Sequence, residues 1–295
     1  MAYPIPRRGE GWLLAPAGAV VGLLLLAPLV VSFALSLTSF SLLQNTTIFL
    51  GLKNYGTLLA HGMALGGFLS DLLITLRFTV VSVLIETVLG FALALFLSRK
   101  FSLTGWLRTL VTVPLMIAPV VSGLQWKYLF DPQVGMVNYL FQVLHIIKEP
   151  QNWFSSTGSA WLLIVVADVW QTTGFMTLFI LAGLQSLPRD VFEAANIDGA
   201  NAWLRLVRIK LPLVWPVLAS AVVLRAMDAF RIFDIAYVLT DGGPLYSTET
   251  VSLFTYRVGL AQFNMALASA SSLLVLVAVI LISMPLMRNL MEDAS

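Results

Sequence analysis

The chain has 295 residues, 59% of them hydrophobic and only 11% charged, with a mean hydropathy of +0.90; a soluble domain carries roughly a quarter charged residues. This excludes a soluble globular protein and points to an all-α integral membrane protein. There is no cysteine, and the two histidines, His61 and His145, are far apart, so no disulfide framework and no thiolate or His-Glu-x-x-His metal site is available. A net charge of +2 spread over scattered basic residues leaves no footprint for nucleic acid.

Residues 1–11 form a short tail that carries Arg7 and Arg8. The apolar run over 12–37 is long enough for a first transmembrane helix, since about twenty residues cross the hydrocarbon core. Ala15-Pro16-Ala17 is like a signal-peptide cleavage site, but it precedes the apolar run instead of following it, so the span is expected to stay uncleaved. Gly18 and Gly22 have the spacing of a small-residue packing motif, a single pair and so weak evidence for an interface. Residues 38–71 form a polar, glycine-bearing connection placed outside. Its Asn45-Thr46-Thr47 matches a glycosylation acceptor only as a short pattern.

The second run covers about Leu72 to Leu97, contains Arg77 and Glu86, and leaves through the basic Ser98-Arg99-Lys100. Glu86 sits alone between Ile85 and Thr87, which suggests a structural hydrogen bond to another helix. The third run, about Leu107 to Phe130, holds Pro114 and Pro119, which are expected to kink or interrupt it at membrane depth. Near its outer end Trp126 and Tyr128 read as interface anchors. After a polar connection over 131–158 the fourth run spans about Ser159 to Leu184. It carries Asp168, Trp170, Gln171 and Thr172, a polar group with an indole on which a sugar ring could stack. Equally, Thr172 could bond its own helix and Trp170 belong to a lipid-facing belt.

The stretch over 187–212 is the polar interlude of the second half. Ser186 is expected to cap a short helix with Pro188 and Asp190 in its first turn, ending near Asn196. Gly199 can take the positive φ that stops it, and Asp198 or Asn201 can cap a second helix. The result is a helix-turn-helix elbow. Trp203, Leu206, Val207 and Lys210 recur at helical spacing on its second arm and need a surface to lie against, either the protein's own bundle or a partner.

A fifth run follows from Leu211 to about Val238, then a glycine-rich external loop at Asp241-Gly242-Gly243-Pro244 and a sixth run from about Met265 to Met287. The fifth run carries Arg225, Asp228, Arg231 and Asp234, each three residues from the next. Such alternating charges can bridge along a helix, giving a self-satisfied ladder at the outer end of the span. They can also form a polar wall of a pathway for a hydroxyl-rich solute, because ionisable groups at membrane depth tend to face cavities. With six spans, ten Lys and Arg fall on the side of the tail, the elbow and the C-terminus and six on the other. That bias puts both termini and the elbow in the cytoplasm.

The order Glu193-Ala194-Ala195, three residues, Gly199, nine residues, then Ile209-x-Leu211-Pro212 resembles the signature loop of bacterial ABC-importer permeases. The segment Asp228-Ala229-Phe230-Arg231-Ile232-Phe233-Asp234, followed by Tyr237-Val238-Leu239-Thr240 and Gly242-Gly243-Pro244, is similar to carbohydrate permeases of the maltose, trehalose and glycerol-phosphate group. The resemblance covers roughly residues 12–290. It implies a type I ABC-importer permease fold, with five further transmembrane helices in a core over 72–290, the coupling loop 187–212 within it, and a cytoplasmic tail at 291–295. It implies a coupling helix that docks on a separate ATPase, carried by Glu193, Ala194, Ala195, Asp198, Gly199, Ala200, Trp203 and Leu206. It implies as partners a second permease in a heterodimer, two ATPase subunits that bind ATP and Mg, an extracytoplasmic solute-binding protein, a sugar, and the lipid of a bacterial cytoplasmic (inner) membrane. A disaccharide is favoured over a phosphorylated solute because the fifth run holds as many acids as bases.

None of the five lysines follows a glycine, so the chain has no phosphate-loop element, and ATP hydrolysis must come from another subunit. An ion-coupled secondary transporter using Asp168, Asp228 or Asp234 is the alternative. It predicts internal repeats, which the two halves do not show, and leaves the elbow without a purpose. A membrane-embedded enzyme ranks last. Its one candidate carboxylate pair, Asp228 and Asp234, lies beside arginines that would keep both ionised, so neither a catalytic residue nor a metal ligand is assigned.

Overall fold

The computed structural model describes residues 15–43, 47–60, 63–99 and 102–292, without the side chains of Arg189, Asn196 and 285–292. The N-terminal tail, the first residues of the first span, the Asn45-Thr46 pair, His61, Lys100 and residues 293–295 of the C-terminal tail lie outside the described residues. The helices are α1 (Ala15–Ser36), α2 (Lys53–Ala60), α3 (Phe68–Leu97), α4 (Thr104–Thr112), α5 (Pro119–Leu129), α6 (Met136–Val143), α7 (Thr157–Gln185), α8 (Arg189–Ile197), α9 (Ala202–Arg205), α10 (Leu211–Ala229), α11 (Asp234–Thr240), α12 (Val251–Tyr256) and α13 (Met265–Glu292). Five helical stretches among the described residues are long and apolar enough to cross a membrane. Residues Thr104–Met116 and Pro119–Leu129, joined at 95°, make a sixth if taken as one broken span.

The chain divides into two compact units, one of Met1–His61 with Thr255–Val275 and one of Gly62–Phe254 with Leu276–Ser295. In the first, α1 is exposed over nearly its whole surface, and a Cβ placed on Gly18 or Gly22 would meet nothing within 4 Å. A span this apolar is matched to lipid on all sides. Its last carbonyl, which has no partner inside the helix, is taken up by the buried Asn54, whose amide donates to Ser36 O at 2.7 Å and to Thr38 O just beyond the helix at 2.8 Å.

In the second unit α3 and α7 pack along each other, which small residues permit. A Cβ on Gly90 would lie 2.7 Å from Met176 Cβ and 3.1 Å from the Thr177 backbone nitrogen. Around this contact Ala94, Leu97, Met176, Ile180 and Leu218 are buried together, while Phe78, Ile164, Val165, Ala236 and Leu239 form a second core nearer the other end.

The breaks in the spans follow the chain chemistry. Pro119 has no N–H to continue a ladder, and the chain turns through Ile117 and Ala118 in extended conformation between a tight turn at Pro114–Met116 and α5. The carbonyl of Ile117, freed by this turn, accepts the Gln171 amide of α7 at 2.8 Å. The fifth run is also interrupted. It stops at Ala229, turns through 230–233 and resumes as α11, and the Ile232 carbonyl accepts Thr250 Oγ1 at 3.0 Å. Its beginning differs from expectation as well: a helical path is continuous over Ala202–Ala229, so the second arm of the elbow is the start of the fifth span. The ring and missing N–H of Pro212 disturb the turn before it, and a wide π-type turn at Leu206–Lys210 absorbs the mismatch, with Leu211 N–H reaching Leu206 O.

Three further boundaries differ from the sequence reading. The second span starts at Phe68, so Asp71 lies buried in its first turn, where Ser70 Oγ donates to it at 3.1 Å. Ser186 closes α7, donating to Gly183 O at 2.9 Å, and does not cap α8. The connection 131–158 contains α6, whose buried Asn138 accepts Trp153 Nε1 at 2.9 Å and Gln151 N at 3.2 Å while donating to Gln151 O and Asp131 O. All the hydrogen-bonding capacity of that amide is thereby used. Asp131 Oδ1 accepts the backbone N–H of Val134 at 3.0 Å and of Gln133 at 2.8 Å, and these bonds hold its carboxyl below the ordinary aspartate range.

The close approach of α3 and α7 gives a direct expectation. Gly90→Val should cost about 1–3 kcal/mol through overpacking and lower the thermal unfolding midpoint in detergent, whereas an unchanged midpoint would mean that the helices have room to spare.

Candidate functional site

Arg225 of α10 is 3% exposed and meets acids from two other helices. It makes a bidentate pair with Glu86 of α3, Nε to Oε2 at 2.7 Å and Nη2 to Oε1 at 3.0 Å. Nη2 also donates to Asp168 of α7, and Nη1 to Asp228 Oδ2 at 3.0 Å, one turn along its own helix. A fork-to-fork pair has two parallel charge-assisted bonds and a defined plane. Burying it is justified only when the remaining donors also find partners, which Asp168 and Asp228 provide. Glu86 thus makes the hydrogen bond to another helix that its isolation in the sequence suggested, and makes it as one half of an ion pair.

Two rungs of the ladder along the fifth run form, Arg225 to Asp228 at 3.0 Å and Arg231 Nη2 to Asp228 Oδ1 at 3.9 Å, the second between side chains that are 67% exposed, while Arg225 also reaches across to α3 and α7. Asp234 has moved off the helix altogether, into the first turn of α11. Spacing by three would have kept these groups on one helix only if the helix had continued.

Seven of the eight pathway candidates nevertheless converge. Asp168, Gln171, Thr172, Arg225, Asp228, Arg231 and Asp234 line one cavity of about 150 Å³. Thr172 donates its hydroxyl to Asp168 O at 2.7 Å, within its own helix. Gln171 donates to Ile117, while its buried Oε1 accepts no hydrogen bond among the described residues. Trp170 is the exception. It lines a separate apolar groove of about 480 Å³ and meets Trp126 edge-on, ring centres 5.8 Å apart, so it does not face the polar cavity. A second intramembrane cation, Arg77, lies 4.4 Å over the ring of Trp161, a cation–π contact.

The elbow has the build its residues imply. Gly199 has φ +73°, and Ala200 N–H reaches Ala195 O at 2.9 Å, the 6→1 bond of a Schellman end to α8. Asn201 starts the second arm, Oδ1 accepting Leu204 N–H at 2.8 Å. Glu193, Ala194, Asp198 and Gly199 are exposed, as are two large apolar groups, Ile197 at 88% and Trp203 at 71%. Ala195 is buried and turned into the protein, and Ala200 and Leu206 are half-buried, so these three candidates support the elbow from within.

The ion cluster gives an asymmetric expectation. Arg225→Gln leaves two buried carboxylates without a counter-ion and should destabilise by about 3–5 kcal/mol, whereas Glu86→Gln leaves Arg225 paired with Asp168 and should cost less. Thermal unfolding in detergent measures both; a larger loss for Glu86→Gln would contradict the arrangement.

The model for the family described as "Binding-protein-dependent transport system inner membrane component" matches residues 86–293. The trehalose/maltose transport system permease protein MalF of Thermococcus litoralis is 38% identical over 91% of this chain and 88% of that protein. The trehalose transport system permease protein SugA of Mycobacterium tuberculosis is 40% identical over 91% of this chain and 84% of its own length. The sn-glycerol-3-phosphate transport system permease protein UgpA of Agrobacterium fabrum is 32% identical over 82% and 80%. Among solved structures, a chain of a bacterial ABC transporter involved in the import of the acidic polysaccharide alginate has the same fold, with a TM-score of 0.81 at 20% identity over 97% of both chains. The chain belongs to the binding-protein-dependent transport system inner membrane component family, as a multi-pass ABC-importer permease.

Proposed function

We propose that this chain is one of two permease subunits, paired as a heterodimer, in an ATP-driven importer of a bacterial cytoplasmic membrane. Two ATPase subunits, which bind ATP and Mg, drive it through the elbow, and an extracytoplasmic solute-binding protein delivers the solute. The solute is a sugar, and a disaccharide such as trehalose or maltose fits best. The names of relatives at 38–40% identity support this class, as does a fold shared with a transporter solved in complex with a pentasaccharide-bound periplasmic protein. The Lys and Arg bias supports termini and elbow on the cytoplasmic side.

One observation carries the mechanism. The second arm of the exposed elbow is joined without a break to the span that holds Arg225, because the helical path runs over Ala202–Ala229. A push on Trp203 therefore reaches α10 along the helix, one on Glu193 or Asp198 reaches it through the turn at Gly199, and either moves with α10 the guanidinium that pairs to α3 and α7. Packed interfaces of this kind have discrete alternatives instead of deforming smoothly, and Arg225 has three acids among which to redistribute its donors. The lining of the 150 Å³ cavity would serve as one wall of the solute path, since whole ligand pockets are about 300 Å³ or more. The exposed Asp228 would accept hydrogen bonds from solute hydroxyls.

Reconstitution of the importer with its binding protein tests the reading. Gly199→Val strains a backbone held at positive φ, and Glu193→Ala removes the exposed carboxylate. Each should lower ATP-driven uptake about 5- to 150-fold, the span of coupling free energies of about 1–3 kcal/mol, with membrane insertion intact. Unchanged uptake in both variants, or uptake that needs no nucleotide and collapses with the proton gradient, would overturn it.

A further inference from the structure

Helix α6 reverses the usual order of a surface helix. An amphipathic helix on a protein surface turns its apolar stripe to the core and its polar side outward. In α6 the buried side chain is the polar Asn138, held by Asp131, Gln151 and Trp153. Met136, Tyr139, Leu140, Val143 and the capping Leu144 recur at helical spacing on the other side, each 46–69% exposed. No Asp, Glu, Lys or Arg stands between Asp131 and Lys148, so this outward face has no charge to hydrate. The exposed Val134 and Ile146 flank it in sequence.

What covers the face follows from what α6 is joined to. It begins shortly after α5 ends at Leu129, and Trp126, Lys127 and Tyr128 at that end are residue types that gather at headgroup level. From Trp126 a series of ring contacts runs through Phe130, 5.8 Å between centres, and Trp153, 5.7 Å, to Phe141 on the inner side of α6, 5.9 Å. The aromatic band at the end of the span is thus continuous with the helix. A protein partner that comes and goes would leave a large apolar patch in water for part of its cycle, which is costly, whereas the bilayer is always present. We propose that α6 lies in the plane of the membrane, in the leaflet opposite the elbow, with its outward face in the boundary between headgroups and acyl chains. The proposal rests on α7 crossing the membrane between α6 and the elbow, and on nothing else in the transport reading. Its consequence is mechanical. A Cβ on Gly123 of α5 would lie 3.1 Å from Val238 Cβ of α11, and Lys127 Nζ donates to Val238 O at 2.9 Å. Mooring at α6 would therefore fix the depth of α5 and α11 together, both beyond the breaks that separate them from α4 and α10.

The full chain in phosphatidylcholine nanodiscs tests this by spin labelling, and the absence of cysteine gives a clean background. Labels are placed one at a time through Met136→Cys, Leu140→Cys and Val143→Cys on the outward face. Lys148→Cys and Glu149→Cys, the first charged positions past it and both exposed, serve as water-side controls. Collision with oxygen, which concentrates among acyl chains, is compared with collision with a water-soluble nickel chelate. The oxygen-to-nickel ratio is expected to be several-fold higher at all three face positions than at either control. Equal ratios at face and controls would place the face in water and overturn the proposal. Face labels shielded from both reagents would overturn it too, because a protein surface such as a second copy of the chain would then cover the helix. Every label replaces an exposed side chain, and neither ATPase nor solute is present, so the result stands apart from the uptake assay.

Discussion

The buried guanidinium of Arg225 is the constraint on which the rest of the second unit depends. A charge held at 3% exposure must have its counter-ions and nearly all its donors satisfied, and here the partners come from three separate helices. Apolar side chains alone would allow α3, α7 and α10 to slide or rotate, because in lipid there is no hydrophobic gain from one packing over another. The bidentate plane of the pair with Glu86 sets a register that dispersion forces do not.

That register matters to the proposed mechanism, in which α10 would serve as both a wall and a lever. One end carries Arg225, and the other continues through the wide turn at Leu206–Lys210 into the exposed elbow. A flexible loop at this point would dissipate a displacement, whereas a helical path transmits it. The wide turn before Pro212 is the softest part of the path, since its hydrogen bonds run to the fifth residue and not the fourth. The elbow itself is divided in its exposure: Glu193, Asp198 and Trp203 face outward, while Ala195 is buried against the protein.

The interruptions of the spans obey the same accounting of polar groups. Irregular backbone at membrane depth survives only where neighbouring protein satisfies it. Gln171 does this for the break at Ile117, and Thr250 does it for the break at Ile232. Both supporting side chains lie far from the break in sequence, so each break depends on a tertiary contact. Gly174 contributes by its size, because a Cβ there would lie 2.3 Å from the Val111 carbonyl oxygen.

Composition and hydropathy were enough to show a helical membrane protein with six apolar runs, since length and polarity govern partition into a bilayer irrespective of the partners of each helix. Local chemistry was equally legible at the elbow, where Gly199 and Asn201 act within one turn of themselves, and at Pro114 and Pro119, whose missing donors favour a break there. The partner of Glu86, the reach of Arg225 to α3 and α7 and the edge-on contact of Trp126 with Trp170 were not readable. Each depends on the rotation of one helix about its axis relative to another, and near-uniformly apolar spans carry almost no periodic signal for that rotation. The continuity of the elbow with α10 was hidden for a related reason: Pro212 reads as a stop, and only the surrounding fold shows that a wider turn carries the helix past it.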